Sequence, residues 1–118
     1  MNSKQWSAYA PMVLRIGLGL VFIWFGYSGL TNTAMWVNLV PAWTLSIAPA
    51  ATLVKLHGAF ELIGGLLLCA GLWTRWVSGL LLLDLLNTIT LLPYGPIMVR
   101  DVGLAISLLS VYLYGDKK

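Results

Sequence analysis

Residues 80–86, Leu80-Leu81-Leu82-Leu83-Asp84-Leu85-Leu86, together with Leu66-Leu67-Leu68 upstream, decide how this chain folds. Both leucine runs are continuous and sit inside longer apolar blocks. A membrane β-strand would instead alternate polar and apolar residues over about ten positions. The 118 residues are 59% hydrophobic and only 9% charged, with a mean hydropathy of +0.86. Soluble domains carry roughly 25% charged residues, so the solvent implied here is lipid. Backbone amides in hydrocarbon must find partners inside their own element, which leaves helices or closed barrels. The unbroken leucines choose helices.

Working outward, four apolar blocks at 11–30, 52–71, 74–92 and 98–114 each approach the ~20 residues that cross ~30 Å of hydrocarbon. They predict an all-α integral membrane four-helix bundle, one transmembrane domain over 1–118. The fourth block is the weakest, because its uninterrupted apolar part begins only after Arg100-Asp101. Lys4 ahead of the first block resembles the start of a secretory signal, but the block exceeds the ~7–15 residues of a signal's apolar region and reads as a retained span. Residues 31–51 carry no charge and contain Trp36, Pro41, Trp43 and Pro49. This is too apolar for a solvated loop and predicts an interfacial segment between helices 1 and 2, its tryptophans at headgroup depth.

Lys4, Arg75, Lys117 and Lys118 fall on one side of the bundle, against Lys55 and Arg100 on the other. Cytoplasmic loops are enriched in Lys and Arg, so both termini are expected in the cytoplasm. Trp6, Trp73 and Trp76 would then form the inner aromatic belt, and Trp36, Trp43 and Tyr94 the outer one. The basic residues are few and scattered, reading as topology signals and not as a nucleic-acid surface. No internal repeat is evident. Gly19, Gly26 and Gly29 share a stripe with Arg15 and Phe22, and Gly103, Ser107 and Ser110 form another behind Arg100. Small residues of this kind let helices approach closely in lipid. The stripes fit a monomer and a homo-oligomer equally.

An ionisable side chain at the bilayer centre costs at least ~2.5–3.5 kcal/mol, so each one needs a partner or a purpose. His57 and Glu61, spaced i,i+4, share a face of the second span. Asp84 and Asn87 lie in the third, Arg100-Asp101 opens the fourth, and Arg15 lies about a turn inside the first. Helix direction gathers His57, Glu61, Asn87, Arg100 and Asp101 in the outer half with Asp84 just below. Whether Arg15 reaches Glu61 or Asp84 depends on the axial shift of the first helix. One reading is that these groups lock the helices in register. The other is a polar pocket lined by Arg15, Asn87, Arg100 and Asp101, in which Glu61, His57 and Asp84 handle protons, histidine being the natural shuttle.

Other chemistries fit less well. One histidine with Met98 makes a poor haem site. His57, Glu61, Asp84 and Asp101 show no recognised ligand spacing, so no metal is assigned. Cys69 has no internal partner and reads as a small buried hydrophobe. Gly64-Gly65 lies in mid-membrane and reads as a packing site.

Arg15-x-Gly17-x-Gly19-x-x-Phe22-x-x-x-Gly26 resembles the opening motif of DoxX-like proteins. Glu61-x-x-Gly64-Gly65-x-x-x-x-x-Gly71, followed by Thr74-Arg75, resembles the second. The likeness runs from about Met12 to Leu113. Members are small four-helix membrane proteins of bacteria and archaea, and the named example is a subunit of a thiosulfate:quinone oxidoreductase. The resemblance implies an inner-membrane location, contact with the quinone pool and a protein partner carrying a redox cofactor. Ser28 to Thr33 are uncharged where the family often has a lysine, so no anion site is carried over.

Three functions follow for comparison. The first is a quinone-proximal or accessory subunit of a membrane redox system. The second is a non-catalytic assembly or stabilising subunit. The third is a small proton-coupled transporter; small multidrug exporters also have four helices, but they place the coupling carboxylate in the first helix, where this chain has Arg15 and no acid.

Overall fold

The computed structural model describes residues 2–37, 46, 48–91 and 94–115. Its helices are α1 (Ser3–Ala8), α2 (Ala10–Thr31), α3 (Ala50–Ala70), α4 (Thr74–Leu91) and α5 (Pro96–Tyr114), with a 3-10 turn at Thr33–Met35. Trp43 and Pro41 of the expected interfacial segment lie outside the described residues, as do Pro93, Lys117 and Lys118.

α1 is an addition to the expected set. Asn2 and Gln5 close a capping box, the Asn2 side chain accepting from Gln5 N at 3.0 Å and the Gln5 side chain from Asn2 N at 2.7 Å. This pattern satisfies two amides that a helix start otherwise leaves unpaired. Pro11, at the start of α2, has no amide hydrogen to give to a longer continuous helix. α1 and α2 are therefore separate helices, meeting at Tyr9.

Among the described residues, three helical stretches are long and apolar enough to cross a membrane: Ser3–Thr31, which runs through α1 and α2, Ala50–Ala70 and Pro96–Tyr114, with 18-residue windows of mean hydropathy 1.7, 1.6 and 1.5. This reverses the ranking of the last two spans. Pro96 begins α5 a turn before Arg100 and supplies the missing length. Among the described residues α4 is the helix that falls short, since Arg75, Asp84 and Asn87 interrupt only 18 residues.

α2, α3, α4 and α5 run antiparallel each to the next, as the pairs Gly19–Gly65 and Gly26–Gly58, Gly64–Leu81 with His57–Asp84, and Gly79–Tyr112 show. α2 and α3 meet backbone to backbone. A Cβ placed on Gly19 would lie 2.7 Å from Gly65 O, and one on Gly26 would lie 2.6 Å from Gly58 O. The glycines are seven residues apart on each helix, so two contacts about 10 Å apart along the axis pin one register. The core then fills with Leu18 and Phe22 of α2, Leu68 of α3, Val77, Leu81 and Leu85 of α4, and Ala105, Leu108 and Val111 of α5. A tight turn joins α3 to α4, with Gly71 and Trp73 both at positive φ (76° and 49°).

The two ends of the bundle differ. One holds Trp6, Trp73 and Trp76, all more than half exposed, with Arg15 and Arg75. The other holds Trp36, whose indole Nε1 donates to Ser28 Oγ at 2.8 Å and whose ring meets Phe25 edge-on at 5.8 Å. Trp36 thus folds back onto α2 and is half-buried, whereas Tyr94 at the same end stands 87% exposed.

Candidate functional site

The triad is built on the α3–α4 seam. His57 and Glu61 are one helical turn apart on α3, which brings His57 Nδ1 to 3.2 Å from Glu61 Oε1. His57 Nε2 hydrogen-bonds Asp84 Oδ1 across the seam. Glu61 is buried, Asp84 is half-buried, and the imidazole keeps 45% of its side-chain surface exposed. The glycine contacts between α2 and α3 hold the helix that carries two of the three groups.

Both ring nitrogens of His57 therefore face carboxylates. Only an imidazolium donates from both; a neutral ring requires one of the two carboxyls to carry the proton instead. The three groups stand in series on two helices, Glu61 to His57 to Asp84, each within hydrogen-bonding reach of the next. Asp84 Oδ2 is buried with no hydrogen-bond partner among the described residues. Ligand atoms of His57, Glu61 and Asp84 lie within 4.8 Å of one another, a grouping that could also hold a metal ion. The histidine, however, already spends both nitrogens on the two carboxylates.

Asp101 of α5 is buried and lies within electrostatic range of Glu61. Arg100 folds onto it, with Nε and Nη2 at 3.2 and 3.1 Å from Asp101 Oδ1. The Arg100 guanidinium also sits 5.7 Å from the centroid of the Phe25 ring. This stacking on α2 draws on cation–π attraction. Phe25 in turn contacts Trp24 and Trp36 edge-on. At this end the structure thus joins His57, Glu61, Asp84, Arg100 and Asp101, with an aromatic wall from α2 that the spacing of charged residues alone did not indicate. The signal for it is the Phe22-x-x-Phe25 spacing with Trp36 beyond the helix.

Two of the expected pocket residues stand apart. Asn87 is exposed, a turn beyond Asp84 on α4. Arg15 lies at the opposite end, against the Gly71 backbone, where an added Cβ would sit 2.9 Å from its Nη1. Gly71 is ten residues past Glu61, about 15 Å along a helix. The axial shift of α2 thus takes Arg15 to the end of α3 and away from both carboxylates. Its Nε is buried and without a hydrogen bond among the described residues.

The DoxX family model matches residues 10–93, a stretch that holds α2, α3 and α4 and so the glycine seam and the whole triad. The chain belongs to the DoxX family. No curated protein and no solved structure matches it. In this DoxX chain Arg100, Asp101 and the rest of α5 lie beyond the matched stretch. The carboxylate–histidine triad is therefore within the matched region, and the Arg100–Asp101 pair lies outside it.

Proposed function

We propose that this DoxX-family membrane protein is an accessory subunit of a membrane redox system in which His57, Glu61 and Asp84 exchange protons with a quinone headgroup. The observation that carries the reading is the position of His57. Its ring joins carboxylates from two helices and is open on one side, near the membrane end where Phe25 and Trp36 offer aromatic surface. Reducing a quinone to a quinol takes two electrons and two protons. One histidine and one cysteine give the chain no ligand set for an iron–sulfur cluster or a bis-histidine haem, and in this reading the electrons come from a partner bearing a flavin, haem or metal centre. The triad supplies protons and is refilled from the adjacent aqueous face. The family resemblance points to a bacterial or archaeal inner membrane, and the charge distribution favours both termini in the cytoplasm, which puts the triad toward the outer face.

The test is Glu61→Gln in the native host, with quinone reduction by isolated membranes measured beside the amount of protein and of co-purifying chains. Positioned proton transfer contributes about 10²–10⁴-fold, so a loss of at least about a hundredfold at unchanged protein level is expected. Unchanged quinone reduction would overturn the proposal.

A second reading, a non-catalytic assembly subunit, draws on the same hydrogen bond, because His57–Asp84 also staples α3 to α4. Replacing buried ionic groups by apolar residues of similar volume is often neutral or stabilising. The combined variant His57→Leu, Glu61→Leu, Asp84→Leu separates the two. Full complex yield with full turnover supports the staple; full yield with turnover lost supports proton exchange.

A further inference from the structure

At the other end of α4, roughly 14 Å along the helix from Asp84, a groove of about 510 Å³ opens between α4 and α5. Its walls are apolar, Leu80 from α4 and Leu109 from α5, both exposed on the surface of the bundle. Its floor exists because position 79 is glycine. The Tyr112 ring lies where a side chain would be, 3.2 Å from the site of an added Cβ. At the mouth stand Arg75, Trp76 and Tyr112. Trp76 is 76% exposed, and it shares this end with Trp73 and Trp6, which fits headgroup depth for an aromatic belt.

Arg75 is held in place and only partly used. Its Nε donates to Tyr112 O at 3.3 Å, its guanidinium lies 5.8 Å from the Tyr112 ring centroid, and it packs against the backbone of Gly115. No other side-chain hydrogen bond of Arg75 is formed among the described residues. Among the described residues the terminal nitrogens take no hydrogen-bond partner, and they stand at the rim of an apolar trough. A fixed cation at headgroup depth above a channel of leucines complements one class of molecule.

We infer that the α4–α5 groove binds an anionic glycerophospholipid, its phosphate on Arg75 between Trp76 and Tyr112 and one acyl chain along Leu80 and Leu109. The Arg75 guanidinium offers parallel N–H donors suited to phosphate oxygens. The apolar wall accepts the chain without desolvating a polar group. A basic residue in such a position adds about 1 kcal/mol of attraction for anionic lipid, a preference of about fivefold over a zwitterionic lipid of the same chains. The site is separate from the triad and independent of quinone chemistry.

Native mass spectrometry of the delipidated full-length protein, titrated with dioleoyl phosphatidylglycerol or dioleoyl phosphatidylcholine, tests this. The wild type is expected to bind the anionic lipid about fivefold more tightly. Arg75→Gln should bring the ratio to about one, Arg75→Lys should keep most of the preference, and Leu109→Trp should weaken both lipids by obstructing the trough. Equal binding of the two lipids by the wild type would overturn the inference. So would a preference that survives Arg75→Gln, or a second copy of the chain occupying this face in place of lipid. If Arg75→Gln fails to fold, the wild-type ratio and Leu109→Trp decide the matter. A ratio near one, or anionic-lipid binding untouched by Leu109→Trp, rejects the site.

Discussion

The α2–α3 and α4–α5 hairpins close in the same way and are filled differently. Each ends on a glycine at positive φ against an arginine from its own first helix: Arg15 on Gly71 at φ 76°, and Arg75 on Gly115 at φ 72°. Between α2 and α3 the contact is backbone on backbone through Gly19, Gly26, Gly58 and Gly65. Between α4 and α5 it is made by side chains, with Leu81 and Leu85 in the same buried cluster as Ala105 and Leu108 and with Tyr112 laid over Gly79. Lipid tails are as apolar as leucine, so burial gives little drive between helices in a membrane and close packing must replace it. The first hairpin has taken that solution furthest. The second keeps larger side chains, and the spaces between them include the groove at Arg75.

The largest effect should come from putting a branched side chain into the glycine seam. In Gly26→Val the new Cβ would meet Gly58 O at 2.6 Å and Leu62 Cα at 2.8 Å, both backbone atoms that cannot rotate away. Overpacking typically costs about 1–3 kcal/mol and occasionally more, and a clash with two backbone atoms belongs at or above the upper end. Loss of about 3 kcal/mol or more is expected in denaturant unfolding followed by circular dichroism in mild detergent. A cost under about 1 kcal/mol would mean the seam opens easily, and the contrast between the hairpins would fail.

The close of the first hairpin is the next place to press. Gly71→Ala puts a Cβ on a left-handed residue, which costs roughly 1–2 kcal/mol, and sets it 2.9 Å from the Arg15 guanidinium. The expected destabilisation is about 1–2 kcal/mol, smaller than at Gly26 because a long arginine side chain can give way. The double variant Gly71→Ala, Arg15→Met checks the cause. Destabilisation unchanged from Gly71→Ala alone assigns the cost to the backbone, and partial recovery assigns it to the arginine.

Much of the bundle was legible because the physics that makes it is local. Leu80 to Leu83 cannot alternate as a barrel strand, and the glycine spacing at 19 and 26 announces a face that packs closely. The helices α2, α3, α4 and α5 begin and end within two residues of the blocks that hydropathy marks. What the blocks could not rank was the amino-terminal end of α5. Hydropathy weighs Arg100 and Asp101 as interruptions, whereas in the structure they lie inside a helix begun by Pro96 and bond to each other. α1 escaped for the opposite reason: a six-residue helix has no apolar block, and only Asn2-x-x-Gln5 marks it.

The candidate site was legible by composition and less so by geometry. His57 and Glu61 had to share a face, since i,i+4 fixes that, and Asp84 had only to lie at a similar depth on the returning helix. Arg15 was different. Its depth depends on the register of α2 against α3, which Gly19–Gly65 and Gly26–Gly58 set by tertiary contact. No pattern within α2 encodes which glycine of α3 each one meets. The aromatic wall of Phe25 and Trp36 beside Arg100 is tertiary in the same sense.

The smallest expected effect sharpens the comparison most, because it lies on the same helix as the largest. Gly17 is two residues from Gly19 on α2, yet an added Cβ there meets nothing within 4 Å, whereas at Gly19 it would meet Cys69 Sγ at 2.6 Å and Gly65 O at 2.7 Å. Gly17 faces the lipid and Gly19 faces α3. Alanine at a helix-interior glycine removes backbone freedom from the unfolded chain and gains roughly 0.5–1 kcal/mol when no contact opposes it. Gly17→Ala should therefore be neutral or slightly stabilising in the same unfolding assay, and Gly19→Ala clearly destabilising. If both positions lost stability equally, helix packing at Gly17 by a second chain would have to be added. Opposite signs two residues apart would show that close approach to α3, and not glycine content, is what the α2 stripe provides.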